Sequence, residues 1–457
     1  MTNAKQSLRF LRRSESKRSS SAPRRTIEIG LLVLSFLIIT SFYVLASLGA
    51  HGHIPARLYA FLAIIFGLSA AAHISIARYA PRSSQVLLPL VSLLNGVGYV
   101  EIARWNPVKA EYQSFWTFVS VVGLFTVLKF VRRIRDLDRY RYTMLIAAAA
   151  LMLVPLLPVI GLNLNGARLW IHLGGLTFQP VELAKILLVI FFASYFASNK
   201  EMLATPTQRI GSRRVINFST LVPILATGAF ALLVLGVEND IGFAMLLVSF
   251  FVTLLWIATG RLLYIGVGVA AMGVGGVIAN NFFHQVHQRF SIWLDPWSSH
   301  ALAHGSQQLI QGWFSLSAGG IAGTGLGLGQ SGRWVFAITS DMIFSAIGEE
   351  LGWLGIVLVI TALLLIVGEG LKIAQKSHSD FSRLTGVGLA LILGFQSFYI
   401  CAGVLRLLPL TGITLPFVAY GGSSLIANYA IIALLLRISD ENNTVRAGGH
   451  VSRINFD

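Results

Sequence analysis

Runs of about 20 mostly apolar residues, separated by short polar stretches, recur along the chain at about 28–49, 58–77, 85–103, 114–131, 142–160, 181–198, 217–237, 241–259, 262–281, 343–368, 386–405 and 413–436. About 20 apolar residues cross the hydrocarbon core as a helix. The pattern therefore predicts twelve spans in an all-α, polytopic transmembrane helical bundle. The runs are too long and continuous for barrel strands, and no strands are expected. No internal repeat is visible, so the inverted-repeat argument for a secondary transporter finds no support. An even number of spans puts both termini on one side. Between the spans, Arg57, Arg104, Lys109, Arg168, Arg289, Arg333 and Arg406 fall on one side. Lys185 lies within a span, and the other basic residues, Lys129 at the end of its span included, fall on the opposite side with the termini. Cytoplasmic segments carry the excess of Lys and Arg, which makes both termini cytoplasmic and the loops at about 161–180 and 282–342 external.

Composition supports this reading. Only 12% of the 457 residues are charged and 55% are hydrophobic, whereas soluble domains carry about a quarter charged residues. The net charge of +16 fits basic cytoplasmic loops meeting anionic lipid, and no nucleic-acid-binding signature accompanies it. The single cysteine, Cys401, excludes an intrachain disulfide and a cysteine-based metal site. Residues 1–26 read as a basic, disordered cytoplasmic tail, followed by a retained first span rather than a cleaved signal peptide. Residues 438–457 read as a second disordered tail. The Trp-, Gly- and His-rich loop 282–342 is expected to be ordered against the membrane face.

Several short blocks carry candidate chemistry. In NGARLWIHLGGLTFQPVELAK (165–185), Pro180 suits the first turn of a helix. Glu182 and Lys185 follow at i, i+3, close enough to pair. Ionisable residues within a span mark function by default, and a purely structural ion pair is the competing reading. Arg168 and Trp170 could clamp an anionic, partly apolar ligand or simply anchor the interface. In GVENDIG (236–242), Glu238 and Asp240 sit at a helix start, where acids are favoured by the dipole; they could also take a proton or bind a metal. Asp295 precedes Pro296 between Trp293 and Trp297, where desolvation would raise its pKa and suit a general base; an Asp-Pro turn is the plainer alternative. No lysine follows Gly319, Gly320, Gly323, Gly325, Gly327 and Gly329 as in a P-loop, so close backbone packing or approach to a ligand is expected rather than nucleotide binding. His284, His287, His300 and His304 share one side but lack HExxH spacing, so exposed loop histidines compete with a zinc site. Asp341, Glu349 and Glu350 open the next span. The stretch LPLTGITLPFVAYGGSS (408–424), including Ser423, breaks the last span and would line a substrate groove or form a packing kink.

Taken together, these blocks resemble the SEDS family of polytopic membrane proteins, which includes RodA and FtsW, over residues 85–437. The resemblance rests on Asn165-Gly166-Ala167-Arg168 with Trp170, Gln179-Pro180 with Glu182, Ala184 and Lys185, and Asp240 with Gly242. It continues through Trp293 to Pro296, the glycine run, Ser340-Asp341 with Ile343-Phe344, and Gly348-Glu349-Glu350-Leu351-Gly352. Pro409 to Ile413, Leu415-Pro416-Phe417 and Tyr420 to Ser424 complete it. The family core has ten spans, so residues 27–84 would be two additional N-terminal spans, as in actinobacterial RodA-like proteins.

The resemblance implies a peptidoglycan glycosyltransferase of the bacterial plasma membrane that polymerises lipid II at the outer face during elongation or division. It also implies a class B penicillin-binding protein as partner, with other elongation or division machinery. Asp295 is then the candidate base, followed by Asp240 and Glu238. Arg168 or Arg289 would hold pyrophosphate, with or without a divalent cation (Mg or Mn); no other cofactor is expected. Trp170, Glu182, Lys185, Asp341, Glu349 and Ser423 complete the substrate side. One departure stands out. The family loop usually carries its catalytic acid in a second Asp-Pro, whereas here Trp297-Ser298-Ser299-His300 follows the first. A lipid II flippase and a non-catalytic activator of the penicillin-binding protein are the competing functions.

Overall fold

In the computed structural model, the structure describes residues 25–453 except 56–57, 159, 165–166, 175, 205–207, 211–212 and 216–217. The expected disorder of the N-terminal tail lies outside the described residues up to position 24. The chain is a helical membrane bundle. Its long helices are α1 (Thr26–His51), α2 (Leu58–Tyr79), α3 (Leu87–Trp105), α4 (Pro107–Phe130), α5 (Arg141–Leu153), α6 (Val181–Ser198), α7 (Phe218–Glu238), α8 (Ile241–Thr259) and α9 (Leu263–Phe282). In the long loop α10 (His284–Leu294) and α11 (Gln307–Gly319) follow, and then α12 (Ile343–Gln375), α13 (Asp380–Val404) and α14 (Gly422–Arg453).

Each predicted span overlaps one of these helices, but not all twelve are of spanning length. Among the described residues, ten are long and apolar enough to cross a membrane, and the apolar stretches Arg141–Leu156 and Val222–Glu238 are shorter. The structure corrects three expectations. Short strands do occur, in the connections rather than the spans: β1 (Gly161–Leu164), β2 (Ala167–Leu173) and β3 (Leu176–Phe178) form an antiparallel meander, and Gln208–Ile210 pairs with Arg213–Val215. The Asn-Gly dipeptide at 165–166 is a strong hairpin signal that a reading by apolar run length passes over. The last span begins at Gly422 rather than 413, because 405–421 is not helical. The C-terminal segment is helical through Arg453 instead of disordered.

Burial sorts the helices into centre and rim. The most apolar stretch of α6 is 78% buried and that of α9 only 6%, so α9 presents its apolar side chains to lipid. Phe192 and Phe196 of α6 pack against Phe250 and Phe251 of α8 in the main core. A smaller cluster of Ile39, Phe42, Ala46, Phe61, Ile65 and Val100 joins α1 and α2 to α3, with Leu326 and Leu351 packed against it.

The glycine-rich part of the long loop is held by a kink in α12. Gly352 has φ 66° and ψ −165°, a conformation open essentially to glycine alone. A helix break at membrane depth needs substitute hydrogen-bond partners, and the loop supplies them. Trp353 N–H donates to Gly320 O at 3.0 Å, while the Thr324 and Gly325 amides donate to Glu349 O and Glu350 O at 2.8 and 3.1 Å. A Cβ on Gly352 would also collide with Gly323 N and Ile321 O. Gly352→Ala is therefore expected to cost at least the roughly 1–3 kcal/mol of a strained conformation, read as a lower thermal midpoint in detergent.

Candidate functional site

The site forms at the end of the bundle that carries the long loop, around the irregular segment 405–421. Gly412 turns with φ 73°, and the Thr411-Gly412 peptide meets three elements. From α10, Arg289 donates through Nη1 to Thr411 O at 2.7 Å. From the start of α8, Gly242 comes so close that a Cβ there would lie 2.8 Å from Thr411 O. From the residues before α12, Asp341 Oδ2 would lie 3.9 Å from a Cβ on Gly412, with Arg289 Nη2 at 3.6 Å.

Asp240 caps α8, accepting the Phe243 N–H at 2.9 Å. This capping role is the bland expectation for an acid at a helix start, but Asp240 is also buried, at 7% exposure. Burial pushes its carboxyl up to about 6, against the Phe243 hydrogen bond and the Arg289 guanidinium, with the Glu182 carboxylate adding to the rise. The enclosed position of Asp341 likewise raises its carboxyl, opposed by Arg289, by a hydrogen bond with the Ser340 side chain and by Lys109. Lys109 donates to Thr339 Oγ1 at 3.1 Å. Asp240, Asp341, Arg289 and Lys109 therefore form one electrostatic unit: two recessed acids that share a guanidinium, with an ammonium beside the second acid.

Beneath it, Glu182 and Lys185 form the predicted ion pair on α6. Both are buried. Lys185 also donates to Gln396 Oε1 of α13 at 2.9 Å. The Gln396 amide donates to Thr414 O at 2.9 Å and Ser424 Oγ at 3.1 Å. The pair thus fixes the irregular segment from below, and Ser423 adds a tether by accepting the Gln179 N–H at 2.8 Å. Glu238 is fully buried, and among the described residues neither of its carboxylate oxygens has a hydrogen-bond partner.

Other predicted residues lie elsewhere. Asp295 is exposed, so the desolvation expected from its flanking tryptophans does not arise. It shapes the turn after α10, accepting the Trp297 N–H at 3.3 Å, while Ser298 Oγ donates to its carbonyl at 3.0 Å. Arg168 is exposed and Trp170 half-buried on β2. Neither is tied to the cluster by a hydrogen bond or ion pair among the described residues. Glu349 accepts the Gln330 and Ser331 amides at 2.8 Å each and so organises the loop. His284, His287, His300 and His304 are exposed, and among the described residues no group of three or more His, Cys, Asp or Glu is placed to hold a metal. The sequence reading passed over Lys109 and Gln396. Gln396 was detectable as an amide inside an apolar run. Lys109 was masked by the Asn106-Pro107 helix start, in which Asn106 caps the Lys109 amide at 3.0 Å.

An apolar multi-helix bundle with acids and cations recessed at one end defines a polytopic membrane protein with a polar site beneath its large loop. The chain belongs to the FtsW/RodA/SpoVE family of cell cycle proteins, whose model matches residues 83–444. Helices α1 and α2 lie before the matched region. The chain is 35% identical to the peptidoglycan glycosyltransferase RodA of Mycobacterium tuberculosis over 430 residues, covering 91% of this chain and 90% of the relative. It is 31% identical over 370 residues to a probable peptidoglycan glycosyltransferase FtsW of Geobacter sulfurreducens, covering 78% and 95%. A solved structure described as a peptidoglycan synthase complex coordinating polymerization and crosslinking matches with TM-score 0.64 and 26% identity, over 79% of this chain and 98% of that one. The rod shape determining protein RodA of Thermus thermophilus shares the fold, with TM-score 0.56 and 24% identity over 79% and 97%.

Proposed function

We propose that this protein is a peptidoglycan glycosyltransferase that polymerises lipid II at the outer face of the plasma membrane, with both termini cytoplasmic. The observation that carries the reading is the Asp240–Arg289–Asp341 cluster, recessed under the long loop of a chain from this family. The reaction joins a sugar 4-hydroxyl to the anomeric carbon of a polyprenyl-pyrophosphate donor and breaks the bond to pyrophosphate. A hydroxyl is a weak nucleophile at neutral pH, and a positioned base contributes about 10²–10⁴-fold. Asp240, with a carboxyl titrating near 6, is largely ionised at pH 7 and still basic enough to accept the hydroxyl proton. Arg289 and Lys109 supply fixed positive charge as the pyrophosphate departs, and the Leu410 and Thr411 carbonyls orient Arg289.

The partner in this reading is a class B penicillin-binding protein, supported by the likeness to a complex that couples polymerization with crosslinking. A flippase would need a polar path reaching both faces, whereas the cluster lies at the loop end alone. One observation favours a second reading: Ser298-Ser299-His300 stands where the family's second Asp-Pro belongs, as suits a member that activates its partner without catalysis. Purified protein with its class B partner is expected to convert lipid II to glycan strands in a gel or mass assay. No product from folded, partner-bound protein would turn the assignment to the activator.

A further inference from the structure

We propose that α1, which lies outside the family-matched region, is a brace that positions the outer loop and through it Asp341. Two glycines make the contact backbone to backbone. A Cβ on Gly49 of α1 would collide with the carbonyl oxygen of Leu326, and a Cβ on Gly327 would collide with Ala46 O. Gly327 also has φ +78°, so both the space and the backbone conformation select glycine. The Leu326 side chain packs into the cluster that joins α1, α2 and α3. The fit therefore combines close main-chain approach with apolar burial.

From this contact the loop runs through a series of anchors toward the site. Gly327 N–H donates to Glu350 Oε2 at 2.8 Å, and Glu350 in turn pairs with Arg104. Arg104 also donates to Gly329 O. The Gln330 and Ser331 amides bind the Glu349 carboxylate at 2.8 Å each. Farther along, Thr339 is held at both polar groups: its hydroxyl accepts from Lys109, and its carbonyl accepts the Tyr420 N–H at 2.8 Å. Asp341 follows two residues later. The helix end 46–50 thus fixes the start of a segment whose far end carries a site acid. Helix α1 provides its own control, because a Cβ on Gly30 would meet nothing within 4 Å.

The proposal rests on the glycosyltransferase reading, so its test has one readout that does not depend on catalysis. Full-length, partner-bound protein carrying Gly49→Val is expected to exchange the amide hydrogens of Thr324, Gly325, Gly327, Gln330 and Ser331 at least tenfold faster than wild type. Its polymerisation kcat should fall about tenfold with KM little changed, since the donor-binding surfaces stay in place. Gly30→Val should alter neither. Gly327→Ala, made from the loop side, should reproduce the effect and serves as the test if Gly49→Val does not fold. Unchanged exchange in a folded Gly49→Val or Gly327→Ala protein, or an equal loosening in Gly30→Val, would overturn the brace. Faster loop exchange with no polymerisation even in wild type would uphold the brace and count against the glycosyltransferase reading alone.

Discussion

Lys185→Ala is expected to prevent the protein from accumulating in folded form, whereas Glu182→Gln combined with Lys185→Met restores most of the folded yield. Lys185 is completely buried and bound to Glu182 and to Gln396 Oε1. Removing one partner of a buried pair strands the other charge and costs about 3–5 kcal/mol, while replacing both by groups of similar volume is often nearly neutral. Total stabilities are only about 5–15 kcal/mol, so the single change removes a large share. Fluorescence-detected size exclusion and thermal unfolding in detergent read the outcome. A double variant that folds and still polymerises would show that the pair serves to hold the irregular segment. Folding without polymerisation would place its charges in the reaction.

Asp240→Asn is expected to reduce polymerisation by about 10²–10⁴-fold, the usual contribution of a general base, while the protein still folds. Asparagine also caps helices well, so the Phe243 amide keeps an acceptor. The wild-type rate should rise with pH around 6, because the raised Asp240 carboxyl is protonated below that value and cannot accept the hydroxyl proton. Arg289→Gln should move this rise to higher pH, since the guanidinium is one of the influences that lower the Asp240 value. Glu182 acts in the opposite direction, so the Glu182→Gln, Lys185→Met double variant should move the rise to lower pH. A flat pH profile between 5 and 7 would remove Asp240 from the chemistry.

The helices were legible because membrane spans are fixed by long apolar runs. Those predicted at 181–198 and 241–259 match α6 and α8 to the residue. Less legible was any feature that depends on backbone satisfied from a distance. The strands at 161–178 hide in a connection, and the 408–424 break, visible from its Gly and Pro residues, did not by itself give the start of α14 at Gly422. Only the packing of Thr411-Gly412 against Arg289 and Gly242 shows why the chain breaks there.

The site was visible as residue types rather than as geometry. Glu182, Lys185, Asp240, Arg289 and Asp341 were all named from the sequence, but nothing there showed that Arg289 acts on both acids. At Asp295 the flanking tryptophans suggest burial, whereas the turn holds its side chain in solvent. The role of α1 could not be read at all. It depends on two glycines, 49 and 327, that are distant in sequence and meet only in the fold.

The most direct test of the recessed cluster as the reaction centre is a side-by-side lipid II polymerisation assay of wild type, Asp240→Asn and Asp295→Ala, each with the class B partner. The cluster predicts glycan from wild type and Asp295→Ala and little or none from Asp240→Asn. Glycan from Asp240→Asn together with its loss in Asp295→Ala would move the chemistry to the exposed turn and contradict the account.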